Sequence, residues 1–204
     1  MKQLFIIFCL CLLGCQETTK QQSISETIQE KTNATQNAFV FFDSLFVKNP
    51  AYIAKGFDFP VGKPNAKGYY NAQKFTVNNH LGDDWNGTGG GNTDLGDPVY
   101  TIGNGYVNFA DNVGGGWGNV IRIIHKYNGT YYESLYAHCE KISVKKGSFV
   151  KKGAQIGTIG NADGAYYAHL HLEIRDYIFM KLGGGYSENT KGFLNPATFI
   201  TSNR

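Results

Sequence analysis

From residue 98 onward one local pattern recurs: short runs of branched and aromatic residues separated by glycine-rich turns. Pro98–Ile102, Gly105–Ala110, Asn119–Tyr127, Tyr131–His138, Lys141–Val144, Ser148–Val150, Ala154–Ile159 and Tyr166–Arg175 all have strand composition and strand length. No convincing long amphipathic helix accompanies them. With 26 Gly, 13 Tyr and 14 Phe in 204 residues, the chain is expected to form one all-β domain of about 150 residues, enough for a single core. No internal repeat of solenoid length is present.

The histidines are clustered within this frame. In Tyr166–Arg175, His169 and His171 are two residues apart, so on a strand they share a face, about 6–7 Å apart at the backbone. His80 and Asp84 lie four apart in His80-Leu81-Gly82-Asp83-Asp84, where Gly82 and the glycines after Trp85 argue against helix and even spacing returns both to one face of an extended segment. His138 ends the run Tyr131–His138. Of the five histidines only His125 is left over, and it is expected to be structural or exposed. A lone histidine is more often a hydrogen-bonded structural residue; two on one face, with a further His–carboxylate pair elsewhere, suggest a metal or catalytic site.

The N-terminus reads differently. Residues 1–14 carry one cation, Lys2, and an apolar run Leu4–Leu13 that is too short for a membrane span and fits an export signal. Leu12-Leu13-Gly14-Cys15 resembles the lipobox of bacterial lipoproteins, which implies that Cys15 becomes the lipid-bearing N-terminus. On that reading Cys9 and Cys11 leave with the leader, Cys139 stands alone and no intrachain disulfide forms. Cys139 neighbours His138, but a lone cysteine is usually a small buried hydrophobe, and on a strand it would point away from the face His138 uses. Residues 15–38 are polar and are expected to form a lipid-anchored flexible tether with at most transient helix. The globular domain is expected at 39–204, with its core about 57–200. The formal charge of +3 is too small to imply a nucleic-acid partner, and no oligomeric state follows from the sequence.

The motifs together resemble the LytM/lysostaphin-type zinc endopeptidases: His80-x-Gly82-x-Asp84, then Tyr136-Ala137-His138, then the turns around Gly147 and Gly153, then His169-Leu170-His171-x-Glu173, with Asn195–Ile200 similar to the family's ending. The resemblance spans about residues 57–200 and implies an antiparallel β-sheet groove. It also implies one zinc per chain on His80, Asp84 and His171, with His138 and His169 as the catalytic pair. Asp83 rivals Asp84, although the motif register and face parity favour Asp84. The chain departs from the family in a longer Gly87–Asp94 link, which would form a groove wall.

Two imidazoles and a carboxylate form a normal catalytic zinc set, leaving a fourth position open. The implied substrate is the peptide stems and cross-bridges of peptidoglycan, a D-Ala–diaminopimelate link being expected and a Gly-Gly bridge the alternative. A lipid-anchored enzyme outside the cytoplasmic membrane, periplasmic or on the cell surface, suits a wall too large to diffuse. Two other classes share some features. One is a non-catalytic wall-binding scaffold or amidase activator on the same fold; the other is a lipoyl- or biotinyl-like carrier module with hairpins like those at Lys146-Gly147 and Lys152-Gly153, which calls for a modifiable Lys at a hairpin tip and no histidine cluster.

Overall fold

The computed structural model describes residues 13–204, with the side chains of all but residues 13–23, 25, 26, 28, 30, 31 and 34. The leader at 1–14 therefore falls outside the described residues except for its last two, and the Cys15 side chain falls outside them too. The described residues divide into two units, one ending at Lys48 and the other Asn49–Arg204.

In the first unit, α1 (Leu13–Lys48) is a single helix of 36 residues. The stretch read as a tether with transient helix is thus helical. Gln, Glu, Lys and Ala recur in it, and neither Gly nor Pro intervenes between Gly14 and Pro50 to break the hydrogen-bond ladder. No described helix is long and apolar enough to cross a membrane.

The second unit is antiparallel β-structure. Its strands are β1 (Tyr69–Gln73), β2 (Asp83–Gly87), β3 (Pro98–Tyr100), β4 (Gly105–Asn112), β5 (Asn119–Tyr127), β6 (Thr130–Cys139), β7 (Lys141–Ile142), β8 (Phe149–Val150), β9 (Gln155–Thr158), β10 (Leu170–Arg175) and β11 (Phe193–Leu194), followed by helix α2 (Pro196–Ser202). The main sheet runs β1-β2-β10-β6-β5-β4-β8, with β11 on β10; β3-β9-β7 form a second, small sheet. Each of the expected strand segments contains an observed strand. Two differences stand out. Tyr166–Arg175 is a strand only from Leu170, with His169 adding one bridge to Gly160. Neither β1 nor α2 was expected; α2 starts where the Asn195 side chain accepts the Thr198 N–H at 2.9 Å, with Pro196 at the first turn.

Strand β10 shows how the sheet divides labour. Ala168, Leu170, Leu172 and Ile174 point into the main core with Ile121, Ile123, Tyr136, Ile156 and Ile200, all essentially buried. Each fully buried aliphatic side chain contributes about 1.5–3 kcal/mol. The alternate residues His171, Glu173 and Arg175 face the other side, beside a smaller apolar cluster of Val120, Leu135 and Ala137. The sheet therefore has one face for stability and one for chemistry.

Candidate active site

Three adjacent strands build the site. His171 on β10 pairs directly with Asp84 on β2 and with Ala137 on β6. The His171 Nδ1 lies 2.9 Å from Asp84 Oδ1 and 3.0 Å from His80 Nε2, and His80 Nε2 is 3.4 Å from the same oxygen. His80 precedes β2 and is held by a bridge to Tyr186. Zinc ligands at about 2.0–2.1 Å in a tetrahedron lie about 3.3 Å from one another. The observed separations fit that geometry, and the three ligand atoms are within 4.8 Å of one another in buried residues.

The electrostatics favour a cation here. Burial opposes ionisation of Asp84, yet the bonds from His171 and His80 hold its carboxyl well below the usual carboxylate range. Burial would lower the His171 pKa, but Asp84 and Glu173 overcome it and raise it to about 9. Glu173 Oε1 lies 3.2 Å from His171 Nε2, on the side of the ring away from Asp84.

Asp83 does different work. Its Oδ1 accepts the Phe75 N–H and its Oδ2 the Ala197 N–H, both at 2.9 Å, so it clamps the chain before β2 to the start of α2. Of the two neighbouring carboxylates, only Asp84 faces the two imidazoles.

His138 reaches the site by a backbone irregularity. Regular alternation would put it on the core face with Tyr136. Between the pairs Asn119↔Cys139 and Ile121↔Tyr136, however, two residues of β6 oppose one of β5, and His138 takes φ 60°. This β-bulge turns the imidazole into the cleft, 4.7 Å from the His169 ring and 5.6 Å from that of His171 between centroids. Burial, with His171 and His169 beside it, pushes its pKa down to about 3, so it is neutral.

His169 has a defined tautomer. Its Nδ1 is 2.8 Å from the Tyr167 carbonyl, which only accepts, so Nδ1 carries the proton. Its Nε2 faces the cleft, 3.9 Å from Asp84 Oδ1. All five residues expected at the site are therefore brought together.

Gly82 is required by close approach. A Cβ there would lie 2.5 Å from the Leu172 carbonyl and 2.9 Å from His171 Cε1. Gly82→Ala is expected to cost about 1–3 kcal/mol and to displace the ring. Metal titration and the thermal midpoint together check this, both falling in the variant.

Two clefts meet at the histidines. One of about 340 Å³ is bounded by Trp117, Tyr166 and Tyr186; the other, about 770 Å³, runs past Asp84 and His169 to Asn86, Asn92 and Tyr167. The long Gly87–Asp94 link forms part of that wall. Asn92 Oδ1 accepts the Ala168 N–H at 2.8 Å and Asp94 Oδ2 the Gly87 N–H at 2.7 Å, so the wall is built rather than loose. The remaining candidates are structural. His125 is fully buried between the Asn104 carbonyl and Ser134 Oγ, and Cys139 is a buried thiol pushed up to about 12 by desolvation.

The sequence placed Glu173 in the His169-Leu170-His171-x-Glu173 motif and Tyr166 at the head of the same run but gave neither a role at the site, and Trp117 and Tyr186, which arrive outside the strands, were not foreseen.

Residues 84–185, half of the chain, match peptidase family M23. The chain belongs to peptidase family M23. The M23 chain is 39% identical over 80 residues to Lipoprotein NlpD of Yersinia enterocolitica, covering 39% of this chain and 78% of that protein. It is 41% identical over 80 residues to Peptidoglycan DD-endopeptidase ShyA of Vibrio cholerae, covering 39% of this chain but only 18% of the relative. A solved structure, the catalytic domain of a mutant prophage-encoded M23 protein EnpA from Enterococcus faecalis, shares the fold. Its TM-score is 0.50 at 21% identity, covering 70% of this chain and 97% of that one.

Proposed function

We propose that this M23 chain is a zinc-dependent endopeptidase that hydrolyses peptide cross-links of peptidoglycan, a D-Ala–diaminopimelate link in the first instance. The observation that carries the reading is the convergence of His80 Nε2, Asp84 Oδ1 and His171 Nδ1 on one point, with His138 and His169 beside it in an open groove. His80, Asp84 and His171 would hold the metal. Zinc bound there would supply Lewis acidity for a scissile carbonyl and for water.

The chain's own residues supply the proton chemistry. With its proton fixed on Nδ1 by the Tyr167 carbonyl, His169 presents Nε2 as an acceptor, so it acts as the general base. His138, neutral through burial, offers the cleft a hydrogen-bond donor without adding charge; it holds the developing oxyanion or the leaving amine. The Asn92 wall and the tyrosines Tyr166 and Tyr167 line the path along which an extended peptide would lie.

Lipidation of Cys15 would place the domain on a membrane outside the cytoplasm, and similarity to a relative named as a lipoprotein, NlpD, supports that placement. The test uses the purified chain and isolated sacculi. One zinc per chain and release of cleaved muropeptides are expected; in His138→Ala the zinc remains and release falls by about 10²–10⁴-fold. Zinc without cleavage of any sacculus would overturn the endopeptidase reading, and absence of zinc would favour the wall-binding scaffold.

A further inference from the structure

The buried face of β10 continues past the histidines as Glu173 and Arg175, both fully buried. Glu173 stands between two partners. Its Oε1 lies 3.2 Å from His171 Nε2, and its Oε2 accepts Arg175 Nε at 2.8 Å. Arg175 in turn donates Nη1 to the Lys181 carbonyl at 3.1 Å and Nη2 to the Leu182 carbonyl at 2.9 Å. The next stretch of that loop, Gly184 to Tyr186, walls the cleft over His171. Glu133 lies further along, with Oε1 3.5 Å from Arg175 Nη1 and bonded to Arg122 Nε at 2.9 Å, and Glu133 does not touch His171.

We propose that Glu173 and Arg175 are positioning residues of the metal centre: Glu173 fixes which ring nitrogen of His171 faces the metal, and Arg175 locks that setting to the loop that walls the cleft. This rests on the metal reading given above. An ionised carboxylate can only accept, so His171 Nε2 keeps its proton and Nδ1 is the nitrogen left for a metal. Without that anchor either nitrogen can carry the proton and the ring is free to turn. Arg175 makes the anchor stiff, because it holds Glu173 from the far side and is itself held by two loop carbonyls. Ligand orientation and cleft wall are thus set by one side-chain chain running along a single strand face.

The test is a zinc titration against a chromophoric chelator on the full chain, with the visible spectrum of the cobalt(II)-substituted protein as a second readout. In Glu173→Gln the amide turns a donor toward His171 or Arg175, and zinc affinity is expected to fall about 10–100-fold with an altered cobalt spectrum. Glu133→Gln serves as the comparator. It disturbs the same buried web and is expected to lower the thermal midpoint while leaving zinc affinity within about threefold of wild type. If Glu173→Gln does not fold, the double variant Glu173→Leu with Arg175→Met removes both charges together and carries the same expectation.

Zinc binding by Glu173→Gln within about threefold of wild type, with an unchanged cobalt spectrum, would overturn the proposal. So would an equal loss in Glu133→Gln, since the web would then act only through stability. His171→Ala keeps the two readings apart. If wild type binds zinc and His171→Ala does not, an undisturbed Glu173 variant sinks this proposal alone; if wild type binds no zinc, the metal reading fails and takes the proposal with it.

Discussion

His171→Ala is expected to abolish stoichiometric zinc binding, whereas His169→Ala keeps one zinc and loses turnover by about 10²–10⁴-fold. His171 lies on β10 and His169 two positions earlier, just before the strand begins, so the contrast separates a ligand from a proton carrier with little difference in location. The geometry underlies the distinction. His171 Nδ1 is within 3.0 Å of both other ligand atoms, while the nearest His169 nitrogen stands 3.9 Å from Asp84 and its other nitrogen is committed to the Tyr167 carbonyl. Metal analysis after dialysis, paired with muropeptide release, reads both quantities on the same samples. Equal zinc loss in the two variants would remove the division of labour proposed for them.

The second large effect concerns two neighbouring aspartates with opposite outcomes. Asp83→Ala strips the acceptor from two part-buried backbone N–H groups, Phe75 and Ala197. At about 1–2 kcal/mol for each unsatisfied donor, the loss is about 2–4 kcal/mol, a drop of roughly 5–15 °C in thermal midpoint. The folded fraction should still bind zinc, because Asp83 contributes nothing to the ligand cluster. Asp84→Ala should lose zinc even at temperatures where it is folded, because it removes a ligand that His171 and His80 surround. Calorimetry in the presence of chelator, followed by zinc titration, checks both. Zinc loss in Asp83→Ala at temperatures where it is folded would show that the wrong carboxylate has been assigned.

Much of this was legible in the residues themselves. Strand length, branched and aromatic composition and glycine-rich turns were enough for an all-β domain, because period-two burial is a local property that each segment writes independently; the antiparallel pairing was implied only by the family resemblance. The same alternation put His169 and His171 on one face, and it holds in the structure. The spacing His80-x-Gly82-x-Asp84 was readable too, and Gly82 now has its reason in the imidazole packed against it. The tether expected at 15–38 stands, and only the extent of its helix was understated: polarity argued against a packed core there, and polarity does not by itself prevent a stretch free of Gly and Pro from coiling.

Other features were decided only by tertiary structure. His138 joins the site through a bulge with a left-handed backbone, which runs against the alternation of its own strand. Asp83 and Asp84 differ in role because one meets the amides of Phe75 and Ala197 and the other meets imidazoles, and adjacency in sequence cannot separate them. The candidate metal site joins His80 and His171 across 91 positions of chain. Local periodicity fixes the face a side chain uses; which faces come to meet, and which loop carbonyls cover them, depends on the packing of the whole sheet, because those contacts are made between segments that share no periodicity with one another.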